Sequence, residues 1–485
     1  MVETGVILDN VRILETCGEI PASFDSIVYD SRQVRPGALF VALRGTRTDG
    51  HGYLKHAFAS GATAALVEEI PSPAPGPCLR VSNTLAALPL VATAFYGNPS
   101  KDLTIAAVTG SNGKTSTTYL IESMWNQAGF PCAVIGTIEY RWKNNTFKAP
   151  NTTPLSLDLQ RMLAEIRKDG IRHVAMEVSS HALKLHRVDG IRFRTATFTN
   201  LSPEHLDFHK DMDDYREAKS LLFTDYLAPN GTAVINTDDP HGRIIFERLD
   251  KHNRLAFALE SPADIQAREY SFGLHGTRFL LHTPAWSHPV QSRLLGEHNL
   301  RNLLGAAATG FALGLSEDAV VEGIESLQSI PGRLESIPNN RDVQILVDYA
   351  HTPDGLKQVL STISSLPHRK LVTVFGCGGD RDRTKRPVMG KIALEYSDQV
   401  IVTSDNPRTE DPMAIIAEIE KGMTTGQGQY RVIADRGEAI RYGLEITGSN
   451  DVLLVAGKGH ETTQTIGTVA YPFDDREVIR EILAE

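Results

Sequence analysis

The run Thr109–Gly110–Ser111–Asn112–Gly113–Lys114–Thr115–Ser116 has the residue types of a phosphate cradle. Glycines let backbone N–H groups approach phosphate oxygens, and a helix starting at the loop adds its dipole. Lys114 would reach the β/γ phosphates, and the Thr115 hydroxyl would ligate Mg²⁺. The loop departs from GxxxxGK[ST] in one place: Val108 stands where the first glycine belongs. Further along, Glu177 closes an apolar run and is followed by Ser179–Ser180–His181. A carboxylate at a strand tip near a phosphate loop is a natural Mg²⁺ partner, although a generic strand-end Glu is solvated.

A third polar cluster, Asn200–Leu201–Ser202–Pro203–Glu204–His205–Leu206–Asp207–Phe208–His209, places two histidines four residues apart. HExxH is absent, so zinc-protease chemistry is not indicated. Lys219 lies inside the helical pattern Tyr215–Phe223, and taken alone it reads as a solvated helix lysine. The cluster Gly376–Cys377–Gly378–Gly379–Asp380–Arg381 invites a dinucleotide reading. Arg381 stands where GxGxxG needs its third glycine, so a strand-end loop with another task is the better reading.

The elements that must hold these residues follow from the apolar pattern. Strands are expected at Thr104–Thr109, His173–Val178, Ala196–Thr199 and Ala233–Asn236, then at Ile345–Asp348, Leu371–Gly376, Val400–Ser404 and Val452–Ala456. Helical patterns separate them. One follows the phosphate loop, with Leu120, Ile121, Met124, Trp125 and Ala128 on one face and Gly129 as its stop. This alternation predicts an α/β fold of parallel sheets with helices on both faces. Ligands of such sheets bind at the carboxyl ends of the strands, where the polar and Gly-rich clusters fall. Turn residues at Gly97–Lys101 and at Pro331–Gly332 mark two boundaries. They divide the chain into segments 1–100, 101–330 and 331–485.

With 485 residues, the chain is long enough for about three domains. Its net charge of −10 and the lack of a basic tail argue against a dedicated nucleic-acid binder. The four cysteines, Cys17, Cys78, Cys132 and Cys377, show no CxxC spacing, which argues against a disulfide scaffold or structural zinc. The first ten residues have no signal-peptide pattern, and the most apolar stretch, Leu85–Phe95, is too short to span a bilayer and is broken by Pro89. A reduced, cytoplasmic, multidomain enzyme without membrane insertion is expected.

Taken together, the motifs resemble those of the Mur ligases over essentially the whole chain. They are Asp30–Ser31–Arg32, the phosphate loop, Asn151–Thr152–Thr153–Pro154, Met176–Leu183, the His205 cluster, the Lys219 helix and Gly296–Asn302. Pro331–Gly332–Arg333, Asp348–Pro353, Gly376–Asp382, Asp405–Asn406–Pro407–Arg408 and Gly457–Glu461 complete them. The resemblance implies an N-terminal UDP-binding domain, a central ATPase-like domain and a C-terminal Rossmann-like domain. It implies an ADP-forming amide ligation in peptidoglycan precursor synthesis. There the D-Glu carboxylate of UDP-N-acetylmuramoyl-L-Ala-D-Glu is phosphorylated to an acyl phosphate, which an incoming amine displaces.

By the same resemblance, Lys114, Glu177, His205 and Lys219 are catalytic. Thr115, Glu177, His205 and a carbamylated Lys219 surround Mg²⁺. Gly110, Ser111, Asn112, Gly113, Lys114, Thr115 and Ser116 hold ATP, Asn299 or Asn302 faces the adenine, and Arg333 and Asp348 reach the nucleotide. Tyr29, Ser31, Thr46, Arg47, Thr48, Asn151, Thr152, Thr153, Ser179 and Arg187 match the UDP-dipeptide positions. Leu185 replaces the glutamine that many relatives carry two residues before that arginine. Arg381, Asp405, Asn406, Pro407, Arg408, Gly457 and Glu461 match the amino-acid site, with Glu461 facing a distal ammonium. Arg408 suits the distal carboxylate of meso-diaminopimelate, which it can bind through two parallel hydrogen bonds. Lysine has no such carboxylate. Lysine addition, a folylpolyglutamate-type ligase, and a P-loop NTPase switch that hydrolyses nucleotide without an acceptor are the alternatives.

Overall fold

The computed structural model describes residues 1–45, 48–424 and 428–485. The chain divides into two compact units, one of residues 1–266 with 302–323, the other of residues 267–301 with 324–485.

The first unit is built on two main sheets, beside the two-stranded pair Val2–Glu3 with Ser23–Phe24. The smaller runs in the order Glu15–Cys17, Cys78–Arg80, Ala62–Val67, Ala38–Val41, Ser26–Val28, and all its pairings but the first are parallel. Its apolar side chains Leu39, Val41 and Leu66 pack with Leu88, Val91 and Ala92 of the helix Thr84–Phe95. That helix runs through Pro89 rather than stopping there. The Asn83 side chain caps its start, and Pro89 is buried, so apolar packing outweighs the lost backbone donor.

The larger sheet centres on Thr104–Thr109, a strand of small and β-branched residues that is parallel to both neighbours, His173–Glu177 and Phe193–Phe198. Beyond them lie Cys132–Ile135 on one side and Leu227–Asn236 then Arg254–Ala258 on the other, all parallel. The hairpin Glu139–Trp142 with Asn145–Lys148 adds an antiparallel edge. Because the strands from Cys132 to Asn236 run one way, their carboxyl ends, and the loops at residues 110, 136, 178 and 199, share one edge. The helix Lys114–Gln127 buries Leu120, Ile121, Met124 and Trp125 as its pattern predicted, and Gly129 follows it at φ +79°.

In the second unit the sheet order is Glu335–Ser336, Val343–Asp348, Asp451–Ala456, Leu371–Phe375, Gln399–Val402, Gln429–Val432; the last five strands are parallel. Apolar clusters cover both faces, one including Leu346, Leu360 and Ile416, the other Val374, Ile440 and Ile479. Each expected strand in both units falls within, or one or two residues beyond, an observed one. Among the described residues, no helix is long and apolar enough to cross a membrane.

Candidate functional site

In the first unit the phosphate loop turns on two glycines that no other residue could replace. At Gly110 (φ +151°) a Cβ would sit 1.9 Å from the Thr199 hydroxyl, and at Gly113 (φ +87°) 2.2 Å from the Asn302 side-chain oxygen. Gly113 is also the N-cap of the helix Lys114–Gln127, so the first N–H groups of that helix open onto the loop. Lys114 folds over the loop and donates to the carbonyls of Gly110 and Ser111, both at 2.8 Å. The Asn112 N–H donates to Asn200 Oδ1 at 2.9 Å, and Ser111 Oγ lies 3.2 Å from the Tyr215 hydroxyl.

Glu177 is not solvated; only 1% of it is exposed. It ends the strand beside Val108, and its carboxylate is spoken for by hydroxyls. Thr115 Oγ1 donates to Oε1 at 2.9 Å, the Thr137 N–H donates to Oε1 at 2.9 Å, and Thr137 Oγ1 donates to Oε2 at 2.8 Å. Thr137 Oγ1 is 3.1 Å from Thr152 Oγ1. Thr153 Oγ1 donates to the Glu177 carbonyl at 3.0 Å and accepts from the Ser179 N–H, while Arg187 Nη1 donates to the Thr153 carbonyl at 2.9 Å. An unbroken chain of hydrogen bonds therefore joins the phosphate loop to Thr152, Thr153, Ser179 and Arg187.

Lys219 is likewise buried, at 1% exposed, against the expectation of a solvated helix lysine. The helix Met212–Thr224 turns it inward, where Nζ donates to the Gly110 carbonyl at 3.0 Å and lies 4.6 Å over the Tyr215 ring. Burial and then the Lys114 charge push its pKa well below the usual lysine value, so the amine is held toward its neutral form. His205 stands at φ +57° with its ring 4.8 Å from that of His181. Burial lowers its pKa, with Glu204 opposing and Lys114 and Lys219 adding to the fall. His209 is buried in the same ring cluster, stacked 4.7 Å from Tyr215, with Ser180 Oγ at 2.9 Å and Asp214 at 3.3 Å.

The remaining substrate positions of this unit are partly gathered. Tyr29 donates to Asp158 at 2.6 Å, and the two line a cavity of about 690 Å³ with Asn151, Pro154, Tyr140 and Trp142. Ser31 is buried at the start of the turn Ser31–Gln33. The Thr48 carbonyl accepts from the Gly45 N–H, whereas Thr46 and Arg47 lie outside the described residues.

In the second unit, the loops after four parallel strands meet at one edge. Both Asp348 oxygens accept backbone N–H groups, of Leu334 (2.6 Å) and Ala350 (2.8 Å), and burial raises its pKa. The Arg333 guanidinium stacks on the Tyr349 ring at 5.3 Å. The buried Asn299 amide donates to the Leu295 carbonyl one turn back. Asn299 and Asn302 fall in different units. Asn406 Nδ2 donates to Glu461 Oε2 at 2.8 Å, and Asn406 Oδ1 accepts from the Thr465 N–H at 2.8 Å. The buried Lys458 ammonium is 3.3 Å from Glu461 and donates to the Thr463 carbonyl at 2.6 Å. At Gly457 (φ +116°) a Cβ would lie 2.7 Å from Asp405 Oδ2. Arg408 Nη1 donates to the Gly379 carbonyl at 2.7 Å, and Arg381 and Arg408 both flank Gly378. Arg381, Asp405, Asn406, Arg408, Gly457 and Glu461 are thus brought together.

Thr137 and Lys458 were missed from the sequence. Both had a signal: Thr137 follows a strand parallel to that of the phosphate loop, and Lys458 sits between two residues already singled out. The donors suit a hard, oxygen-seeking cation. Thr115 and Glu177 offer a hydroxyl and a carboxylate side by side. Mg²⁺ is held in that way when phosphates and water supply its other ligands.

Comparison with known proteins agrees with this arrangement. Residues 23–95 match the Mur ligase family catalytic domain, residues 108–310 the Mur ligase middle domain and residues 332–459 the Mur ligase glutamate ligase domain. The chain is 46% identical to the UDP-N-acetylmuramoyl-L-alanyl-D-glutamate–2,6-diaminopimelate ligase of Geobacter metallireducens, covering 97% of this chain and 96% of that one. It is 44% identical to the enzyme of the same name from Geobacter sulfurreducens, over 95% and 94%. A solved structure of a ligase of that name superposes with a TM-score of 0.71 at 34% identity, covering 95% of each chain. The chain belongs to the Mur ligase family.

Proposed function

We propose that this Mur ligase joins meso-diaminopimelate to the D-Glu carboxylate of UDP-N-acetylmuramoyl-L-Ala-D-Glu, with ATP converted to ADP and phosphate, in the cytoplasm. The observation that carries this reading is the hydrogen-bonded chain from Thr115 through Glu177 and Thr137 to Thr152, Thr153 and Arg187, which links a phosphate cradle to an anion-binding patch. In this reading the three domains are residues 1–100, 101–330 and 331–485.

The glycine loop and Lys114 hold the triphosphate, and Asn302, beside Gly113, is the better placed of the two asparagines to meet the nucleotide. Arg187 and the Thr152–Thr153 hydroxyls hold the D-Glu carboxylate against the γ-phosphate. The carboxylate oxygen attacks phosphorus and ADP leaves. The amine of diaminopimelate then adds to the acyl phosphate, and phosphate departs as the amide forms. The first step brings two anions together and the second, attack by the neutral amine with loss of its proton, develops an oxyanion, so fixed positive charge lowers both barriers. Thr115, Glu177, His205 and Lys219 would hold Mg²⁺, which supplies Lewis-acid neutralisation of the phosphates when bound. A neutral buried amine adds to carbon dioxide with loss of one proton, giving a carbamate, and the depressed pKa of Lys219 favours that form. In the second unit, Arg333 and Asp348 shape the nucleotide-facing turn. Asn406, Glu461 and Arg408 receive the amino and carboxylate groups of the acceptor, Arg408 taking the distal carboxylate. Because lysine lacks that group, Arg408 would face a cation instead.

The test is phosphate release in the presence of the UDP-dipeptide, with meso-diaminopimelate or L-lysine as acceptor. Amide product with the former alone supports the reading. Phosphate release without any acceptor would favour a nucleotide-hydrolysing switch.

A further inference from the structure

The two loops that gather the acceptor residues are tied together by a charge cluster that the proposed mechanism does not use. Arg386, at the start of the helix Lys385–Tyr396, is fully buried. Its guanidinium donates to both Glu410 oxygens at 2.8 and 2.9 Å, to Glu418 Oε2 at 2.8 Å and to the Gly378 carbonyl at 3.2 Å. Glu410 Oε1 also accepts the Asp380 N–H at 2.6 Å, and Asp380 accepts from the Thr409 hydroxyl at 2.7 Å. Gly378 and Asp380 belong to one loop; Thr409 and Glu410 directly follow Arg408 on the other.

Arg408 needs such support. Its backbone is at φ +53°, a region that side-chain-bearing residues seldom occupy. On one side it is held by its N–H on the Thr465 carbonyl at 3.0 Å. On the other, the Gly379 N–H donates to the Asn406 carbonyl at 2.9 Å, and Thr409 and Glu410, the two residues after Arg408, are held through Asp380 and Arg386. Hydrogen bonding to Arg386 keeps the Glu410 carboxyl down at about 2, so the pair stays charged at neutral pH. A planar five-donor fork meets these acceptors; a lysine ammonium cannot bind Glu410 through two parallel bonds and still reach Gly378 and Glu418.

We propose that Arg386, acting through Glu410, is a positioning residue for the acceptor amino acid: it fixes the Arg408 loop against the Gly376–Arg381 loop. This rests on the reading of Arg408 as the distal-carboxylate ligand. Arg386 touches no substrate, and its effect is read in the affinity for one substrate alone.

The test is steady-state kinetics on the full chain, varying ATP, UDP-dipeptide and meso-diaminopimelate in turn. The variants are Arg386→Lys, Glu410→Gln, Glu418→Gln, Arg408→Ala and the double variant Arg386→Lys/Arg408→Ala. Arg386→Lys and Glu410→Gln should each raise the KM for meso-diaminopimelate roughly ten- to hundredfold, the cost of a misplaced binding group, while the KM for ATP stays within about twofold. Glu418 bonds to Arg386 but to neither loop, so Glu418→Gln should lower the melting temperature without that KM change. The double variant should bind the acceptor no worse than Arg408→Ala. If Arg386→Lys fails to fold, Glu410→Gln, which keeps its shape, carries the test. A fall in kcat with unchanged acceptor KM, or additive effects in the double variant, overturns the proposal. Arg408→Ala with unchanged acceptor KM overturns the site assignment and this proposal with it.

Discussion

The phosphate region of the first unit and the acceptor loops of the second are both preorganised, but by opposite means. Around the phosphate loop the braces are hydroxyls, backbone groups and glycines, and the buried titratable group Lys219 is driven toward neutrality. Around Arg408 the braces are ion pairs of the buried Arg386 with the half-buried Glu410 and Glu418. The first site must receive a highly charged ligand, and internal ion pairs there would compete with it. The second receives a zwitterion with one group at a time to recognise, and fixed charges already neutralised in pairs hold its frame without repelling it. Substitutions in the first region should therefore act on kcat, and those in the second on the KM of one substrate.

The largest effect is expected at Lys219. Lys219→Ala removes the group that would become an anionic ligand, and ligation should fall by roughly two to three decades or more, the range seen when a charge-stabilising group is removed. Short carboxylic acids added to the assay should partly restore it; full activity in the untreated variant would break the comparison. Next is Arg408→Ala, which should raise the KM for meso-diaminopimelate by about one to two decades with the KM for ATP nearly unchanged, since a charged hydrogen bond contributes about 1.5–3 kcal/mol. Initial rates with each substrate varied in turn decide it. A collapse of ATP binding instead would move Arg408 into the nucleotide site. Thr137→Val is smaller: it removes one bond to Glu177 and the contact with Thr152 but leaves the backbone donor, so kcat should drop about tenfold with little change in any KM.

The smallest effect is on stability. Burial pushes the imidazoles of His298 and His460 down to about 4 from an ordinary 6.5. The unfolded chain then binds more protons between those values, so stability is full above about pH 6.5 and is lost as the pH falls toward 4. Melting temperatures recorded from pH 7.5 to 5 should fall, and His298→Gln should flatten part of the slope.

Much of the frame was legible in the sequence because it rests on local rules. Strand, glycine turn, lysine and amphipathic helix define the phosphate loop, and apolar runs of four to six residues located the eight strands expected, although the parallel strands Cys132–Ile135, Arg254–Ala258 and Gln429–Val432 and those of the N-terminal sheet were not among them. The inward turn of Lys219 was not legible from its helix alone, since a lysine pattern says nothing about which neutral pocket lies opposite; only the family motif pointed to it. For Glu177 the residues alone left a metal partner and a solvated strand end both open, because its partners, Thr115 and Thr137, come from 62 and 40 residues away. Arg386 gave no signal: its partners Glu410 and Glu418 lie 24 and 32 residues on, in an ordinary-looking charged stretch. Cys17 and Cys78, 61 residues apart in sequence, are opposite each other in an antiparallel pair, a proximity that spacing cannot reveal.

The central claim is the identity of the acceptor. Competition between meso-diaminopimelate and L-lysine at equal concentration, with ATP and the UDP-dipeptide saturating and the amide products separated by mass, measures it directly. Product carrying diaminopimelate is expected in at least about tenfold excess, the discrimination one charged hydrogen-bonded pair supplies. Equal incorporation, or an excess of the lysine product, would contradict it.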